Sequence, residues 1–190
     1  MNIEFVLSEL SRDPSAGPLC AALDDCRAAN TRAIGILSDM ADAARIEAGE
    51  HTVKLGKVQV VRLFSGLVRR FEGDARSRGV AMTSRIDADV IRADEGLLGR
   101  ALGRLLERAV RHARPGSTIY LESREVTVTV RVSPPSDEKD IVPLHDVFRG
   151  LAMQFTEAVA RALGGEVLSD TADDGSLFVQ LSLARTSVAP

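Results

Sequence analysis

Three histidines, His51, His112 and His145, and two cysteines, Cys20 and Cys26, are the side chains of this sequence best able to attack, carry or release a chemical group. His51 follows the end of a long helix in an extended connector, His112 closes an amphipathic helix, and His145 precedes the last helix. At a helix end His112 reads as a charge partner for the terminal carbonyls rather than as a catalyst. The cysteines stand six positions apart in one helix, so their side chains point in different directions and no disulfide between them is expected. With no further Cys or His close by they also make no zinc site. The most regular chemical pattern is cationic. Arg100, Arg104, Arg108 and Arg111 recur at three- and four-residue steps, a basic stripe opposite Leu98 and Leu105. Such a stripe is either a solvated face or a surface that meets an acidic partner. Asp94, just before this helix, reads as its N-cap.

The elements that carry these residues follow from hydrophobic spacing and from chain breakers. After a short amphipathic segment at Ile3–Leu10, the string "DPSAGP" (13–18) interrupts the chain. A long helix then runs from Leu19 to about Ala48, where Leu19, Leu23, Cys26, Asn30, Ala33, Leu37, Met40 and Ala44 alternate intervals of four and three, a heptad seam. Asn30 is the polar position in that seam, the kind of residue that fixes register at a cost in stability. Gly49 stops the helix, and "HTVKLGKVQV" (51–60) reads as a connector or short strand. An amphipathic helix is expected over 58–78, a strand over 79–87, a helix over Glu95–Ala113, a hairpin through "STIYLESREVTVTVRVSPP", a helix at about 144–163, and two final strands around Asp174-Gly175. Interleaved helices and strands of this kind give an α+β fold, helices layered on a mixed sheet.

Composition excludes several functions. A net charge of -3 offers no global attraction to nucleic acid or to an anionic membrane. The start "MNIEFVLSELSRD" has no basic segment followed by an apolar run, and no stretch reaches the roughly 20 apolar residues that cross a bilayer. A cytoplasmic chain with no membrane and no nucleic-acid contact is expected.

Several strings, in this order, resemble the sensor histidine kinases of bacterial two-component systems. "LSDMADAARIEAGEHTVKLGKVQV" is similar to the end of the second dimerisation helix and its link to the ATP-binding domain, and "RRFEGDARSRGVAM" to that domain's first helix and strand. "ADEGLLGRALGRLLERAVRHARPGS" resembles the N-box helix, and "ARALGGEVLSDTADDGSLFVQLSL" the closing helix, Gly-Gly turn and hairpin. The resemblance covers roughly 19–185 and implies an N-terminal helical dimerisation segment (1–50), followed by a two-layer α/β sandwich of the histidine kinase ATPase (Bergerat) type (51–190).

The departures bear on activity. The resemblance places magnesium- and phosphate-binding asparagines at Arg104 and Arg108, and arginine is a fixed cation with donors only. Magnesium requires oxygen ligands. Near the adenine-binding aspartate stands Ser133, and Pro134 and Pro135 replace flexible glycines. Of the second glycine box only Gly150 fits, with Ala152 at the next glycine, so the backbone nest for phosphate is lost. The phosphoacceptor histidine of the first dimerisation helix is missing, since no histidine precedes Asp13. The arginines could fill the emptied pocket by pairing with Asp137 and Glu138. The resemblance therefore implies a non-catalytic regulator or adaptor without cofactor or metal. It would be a homodimer along the 19–48 seam that binds a response-regulator receiver domain or a histidine kinase, with Arg100, Arg104, Arg108 and Arg111 as the partner surface. The alternatives are a histidine phosphotransferase with a decayed ATP-binding domain, and a remodelled pocket for another small ligand.

Overall fold

The structure, a computed structural model, describes residues 17–135 and 151–184. The chain divides into two compact units, one ending at Ala41 and the other beginning at Asp42. Helix α1 (Gly17–Glu47) is 31 residues long and carries Pro18 in its first turn, where a missing N–H breaks no helical bond. It ends because Gly49 takes φ 72°, which lets Gly49 N–H donate to the Ile46 carbonyl (3.1 Å) and Glu50 N–H to the Arg45 carbonyl (2.9 Å). The expected helix at Ile3–Leu10 lies outside the described residues.

The second unit continues with β1 (Gly56–Gln59), α2 (Val60–Ser77), β2 (Ala81–Ile86), β3 (Val90–Ala93), α3 (Glu95–His112), β4 (Thr118–Arg124), β5 (Thr127–Ser133), α4 (Leu151–Ala162), β6 (Glu166–Thr171) and β7 (Leu177–Ser182). Five strands form one sheet in the order β2-β4-β5-β7-β6, and β1 pairs with β3 in a separate two-stranded ribbon. Within the large sheet β2 runs parallel to β4 and the other neighbours are antiparallel. The strict alternation of β4 and β5 puts Ile119, Leu121, Val128, Val130 and Val132 on one face, fully or almost fully buried. With them in one core lie Phe64, Leu67 and Phe71 of α2, Leu98, Leu102 and Leu105 of α3, and Phe155 and Val159 of α4. The opposite face is polar: Arg131 stacks on the Tyr120 ring at 4.3 Å and donates to Glu122 at 3.0 Å. Apolar residues on one face of the sheet and charged residues on the other are what a two-layer sandwich requires.

Two boundaries differ from expectation. The helix expected from residue 58 begins at Val60, because Val58 and Gln59 pair with Ile91 and Val90 in the ribbon. Strand β3 was not expected: four residues, "VIRA", are too short to show alternation, and their pairing partner is more than thirty positions away. Of the helix expected at about 144–163, the described part is Leu151–Ala162.

Candidate functional site

Helix α3 is the element on which sequence and structure concentrate most charge. Its start is fixed by Asp94, whose carboxylate accepts from Leu97 N–H at 3.0 Å and from Lys54 N–H at 2.9 Å, so one side chain caps the helix and ties it to the connector before β1. Burial works against the Asp94 charge, yet the N–H groups of Leu97, Lys54 and Gly96, with His51 nearby, outweigh it and hold the carboxyl below its ordinary pKa. Leu97, Leu98, Ala101, Leu102, Leu105, Leu106, Ala109 and Val110 are buried, which leaves the arginines on the face away from the core.

The four arginines do not act as one surface. Arg100 donates to Asp42 and lies over the buried Phe155 ring at 4.9 Å, holding the end of α1 and covering α4. Arg104 and Arg111 both donate to Glu107, at 3.1 and 2.9 Å, so this carboxylate sits between two guanidiniums, each about one turn away. These are the ion pairs of a solvated face, each worth at most about 1 kcal/mol. They also fix positive charge along the stretch where the resemblance places magnesium and phosphate, and occupy the nearby carboxylate oxygens. The suggested partners Asp137 and Glu138 lie outside the described residues, as do Gly150 and His145. Ala152 falls in the first turn of α4 rather than in a loop.

At the end of β5 the Ser133 and Ser176 hydroxyls lie 2.9 Å apart, and Ser176 is fully buried. Asp174 accepts from Ser176 N–H at 2.8 Å, and that bond is the chief cause of its lowered pKa. Two hydroxyls therefore satisfy each other where the resemblance expects a carboxylate acceptor. Pro135 then packs against Gly116, where a Cβ would meet its ring at 3.4 Å, so the chain leaving β5 abuts the turn after α3.

His112 behaves otherwise than expected. A helix end should favour imidazolium. Instead burial, then Arg108, Arg111 and Arg78, push its pKa below the ordinary value, so at neutral pH it is uncharged, and the basic residue of the last turn is Arg111. Arg78 escaped the sequence reading because it belongs to another helix end. The signal that could have found it is the density of arginine at the ends of both α2 and α3. Thus Arg108, Arg111, His112 and Arg78 come together, while Arg100 stands apart from them with Asp42. His51 is half-buried in the connector. Among the described residues no group of three His, Cys, Asp or Glu is placed to hold a metal ion, and Cys20 and Cys26 are both free thiols.

Among the described residues nothing covers the α1 seam. Leu19, Leu37 and Met40 are 51%, 65% and 47% exposed, Leu23 is half-buried, and Cys26, Asn30, Ala33 and Ala44 are exposed. Ile34 and Ile36, which flank the seam and were missed by a strict heptad reading, are 60% and 42% exposed. The apolar face is wider than a two-stranded seam requires. Among the described residues no helix is long and apolar enough to cross a membrane.

No protein-family profile matches the chain. In sequence it is 31% identical over 168 residues to the sensor protein DivL of Caulobacter vibrioides, a match covering 80% of this chain and 22% of that protein. The chain thus spans less than a quarter of the length of the curated relative it matches. In structure it is similar to the histidine kinase AdeS of Acinetobacter baumannii (TM-score 0.72, 13% identity, 98% of this chain and 96% of that one). It is also similar to full-length ShkA in complex with AMPPNP (TM-score 0.62, 17% identity, 87% and 39%). The nucleotide-free catalytic domain of the histidine kinase ThkA aligns at TM-score 0.52 and 16% identity, over 68% of this chain and 97% of that one. The fold is a helix followed by a mixed α/β sandwich that matches the histidine kinase dimerisation and ATPase domains. In fold the chain resembles histidine kinases.

Proposed function

We propose that the chain is a non-catalytic, histidine kinase-like regulator that dimerises through α1 and binds a two-component signalling protein, either a response-regulator receiver domain or a histidine kinase. The observation that carries this reading is the Arg104–Glu107–Arg111 arrangement on α3, where two fixed cations share the one carboxylate between them. Magnesium needs oxygen ligands at such a place, whereas a guanidinium offers donors only and repels the cation. The Ser133–Ser176 hydroxyl pair supports it, since that pair presents no carboxylate to an adenine amino group. Similarity to the sensor protein DivL supports the signalling context. Dimerisation is supported by the length of the bare seam: 31 residues of helix extend for about 46 Å.

Calorimetry of the full chain with ATP and Mg²⁺ tests the central point. No heat of binding is expected at millimolar nucleotide. A dissociation constant in the micromolar range overturns the reading. Incubation with an active kinase should also leave the chain unlabelled, and acid-labile label on His51, His112 or His145 would restore the phosphotransferase alternative.

A further inference from the structure

The basic stripe of α3 ends in a cluster that extends beyond α3 to the end of α2. Arg108 and Arg111 stand in the last turns of α3, His112 closes it, and Arg78 follows the last residues of α2. The two helix ends are fastened together. Gly116 N–H donates to the Gly79 carbonyl at 2.8 Å and Ala81 N–H to the Ser117 carbonyl at 3.0 Å. Gly79 takes φ 69° with Pro115 beside it, so that a Cβ there would lie 3.4 Å from the proline. Arg78 is therefore held near His112 by backbone contacts rather than reaching it by chance.

Burial first, and then the positive charge around it, outweigh the usual effect of a helix end on this histidine. The charged groups facing His112 are Arg108 and Arg111 from α3 and Arg78 from the end of α2, and with burial they keep the imidazole neutral. Glu107 is engaged by Arg104 as well as Arg111. The acids of the last hairpin, Glu166, Asp170, Asp173 and Asp174, lie in a segment, 166–184, that holds no Lys or Arg. Among the described residues the adjoining ends of α2 and α3 gather Arg78, Arg108, Arg111 and His112.

We propose that Arg78, Arg108, Arg111 and His112 form the docking surface for an acidic face of a protein partner. This rests on the regulator reading above and assigns it a surface. An acidic protein face fits better than a polyanion. The cluster contains no aromatic side chain on which a base could stack. It contains no apolar residue to enter a bilayer, and the overall negative charge repels extended anions. Carboxylates brought beside His112 favour its charged form, so its pKa rises on binding and affinity grows as pH falls through the window between the free and bound values.

The test is an NMR titration of the histidine Cε1–H signals of the full chain at low ionic strength, with and without a ten-residue alternating Asp-Glu peptide as probe. The expected result is a His112 pKa higher by about half a unit with the peptide bound, and binding about threefold tighter at pH 5.5 than at pH 8. Arg78→Gln and Arg108→Gln should each weaken the peptide about two- to fivefold. Arg62→Gln, on the exposed face of α2, should leave it unchanged, and His112→Asn should bind with no pH dependence beyond that of the peptide. An unmoved His112 signal, or binding indifferent to Arg78 and Arg108, overturns the proposal. So does preference for single-stranded RNA or phosphatidylserine vesicles over the peptide. No nucleotide enters this experiment, so heat released by ATP in calorimetry would sink the non-catalytic reading while leaving the His112 result to stand or fall alone.

Discussion

Helices α1 and α3 carry the same kind of apolar periodicity and have opposite fates. In α3 the apolar positions Leu98, Leu102 and Leu105 are completely buried. In α1 the corresponding positions Leu19, Leu37 and Met40 stand open to water, with Ile34 and Ile36 beside them. Periodicity declares that a helix has a face in need of cover. It does not say what covers it. For α3 the cover lies in the same chain, a sheet whose strands supply Ile119, Leu121 and Val130. For α1 no described residue supplies a cover for these exposed apolar side chains, which is why a second copy is proposed to supply it.

Substitutions in the two helices should therefore part ways. Leu102→Ala removes a completely buried side chain and should cost about 2–5 kcal/mol of stability, read as a lowered urea midpoint at every protein concentration. Leu37→Glu should leave the midpoint of the sandwich unchanged and lower the molar mass by light scattering from dimer to monomer. Each Leu37 buried against a partner contributes about 1.5–3 kcal/mol, lost in both copies. A wild-type chain that is monomeric at tens of micromolar, or a Leu37→Glu chain that stays dimeric, would erase the distinction and leave α1 as an exposed helix without a second copy.

How much of this could be read from the sequence depended on the range of the signal. The elements around local breakers, such as α1 ending at Gly49, α3 between Asp94 and "RPG", and the β4–β5 hairpin, were visible because each is encoded in neighbouring residues. Strand β3 was not, because its identity depends on pairing with β1 far away in the chain. The basic stripe of α3 was legible as four residues, but not its division into Arg100 with Asp42, Arg104 and Arg111 with Glu107, and Arg108 with His112 and Arg78. Two of those groupings depend on residues from other elements. The lowered pKa of His112 was not legible either, because burial, its first cause, is set by the packing around the helix end rather than by the helix end itself.

The two ends of α3 sharpen the contrast with smaller effects. The start is held by a side chain, so Asp94→Ala should cost about 1 kcal/mol, with the loss of stability seen above the pKa of the unfolded carboxyl. Because the folded pKa is lowered, the contribution of Asp94 is present at neutral pH and disappears as pH falls through the folded value. Unfolding curves at pH 7 and at pH 3 should therefore differ less for Asp94→Ala than for the wild type. A loss at pH 7 as large as that of Leu102→Ala would mean that the cap, rather than the sheet, keeps α3 in place.

The last turn of α3 is the place where the covered helix comes to resemble the uncovered one, since His112 stands at the surface, where partial burial and then the neighbouring arginines lower its pKa. The unfolded chain has a histidine pKa near about 6.5, and the folded value lies below it. Between the two values the unfolded state binds more protons, so stability falls as pH drops through that window and is fully retained above it. His112→Gln removes this dependence. Comparing the urea midpoint of the variant and the wild type at pH 5.5 and pH 7.5 isolates the effect from that of His51 and His145, which both chains keep. The wild type should lose more stability than the variant on going to pH 5.5, and adding the acidic peptide should shrink the difference. A variant that loses as much as the wild type would mean that His112 titrates alike in the folded and unfolded chain, and the cationic cluster would then be no stronger than ordinary solvated arginine.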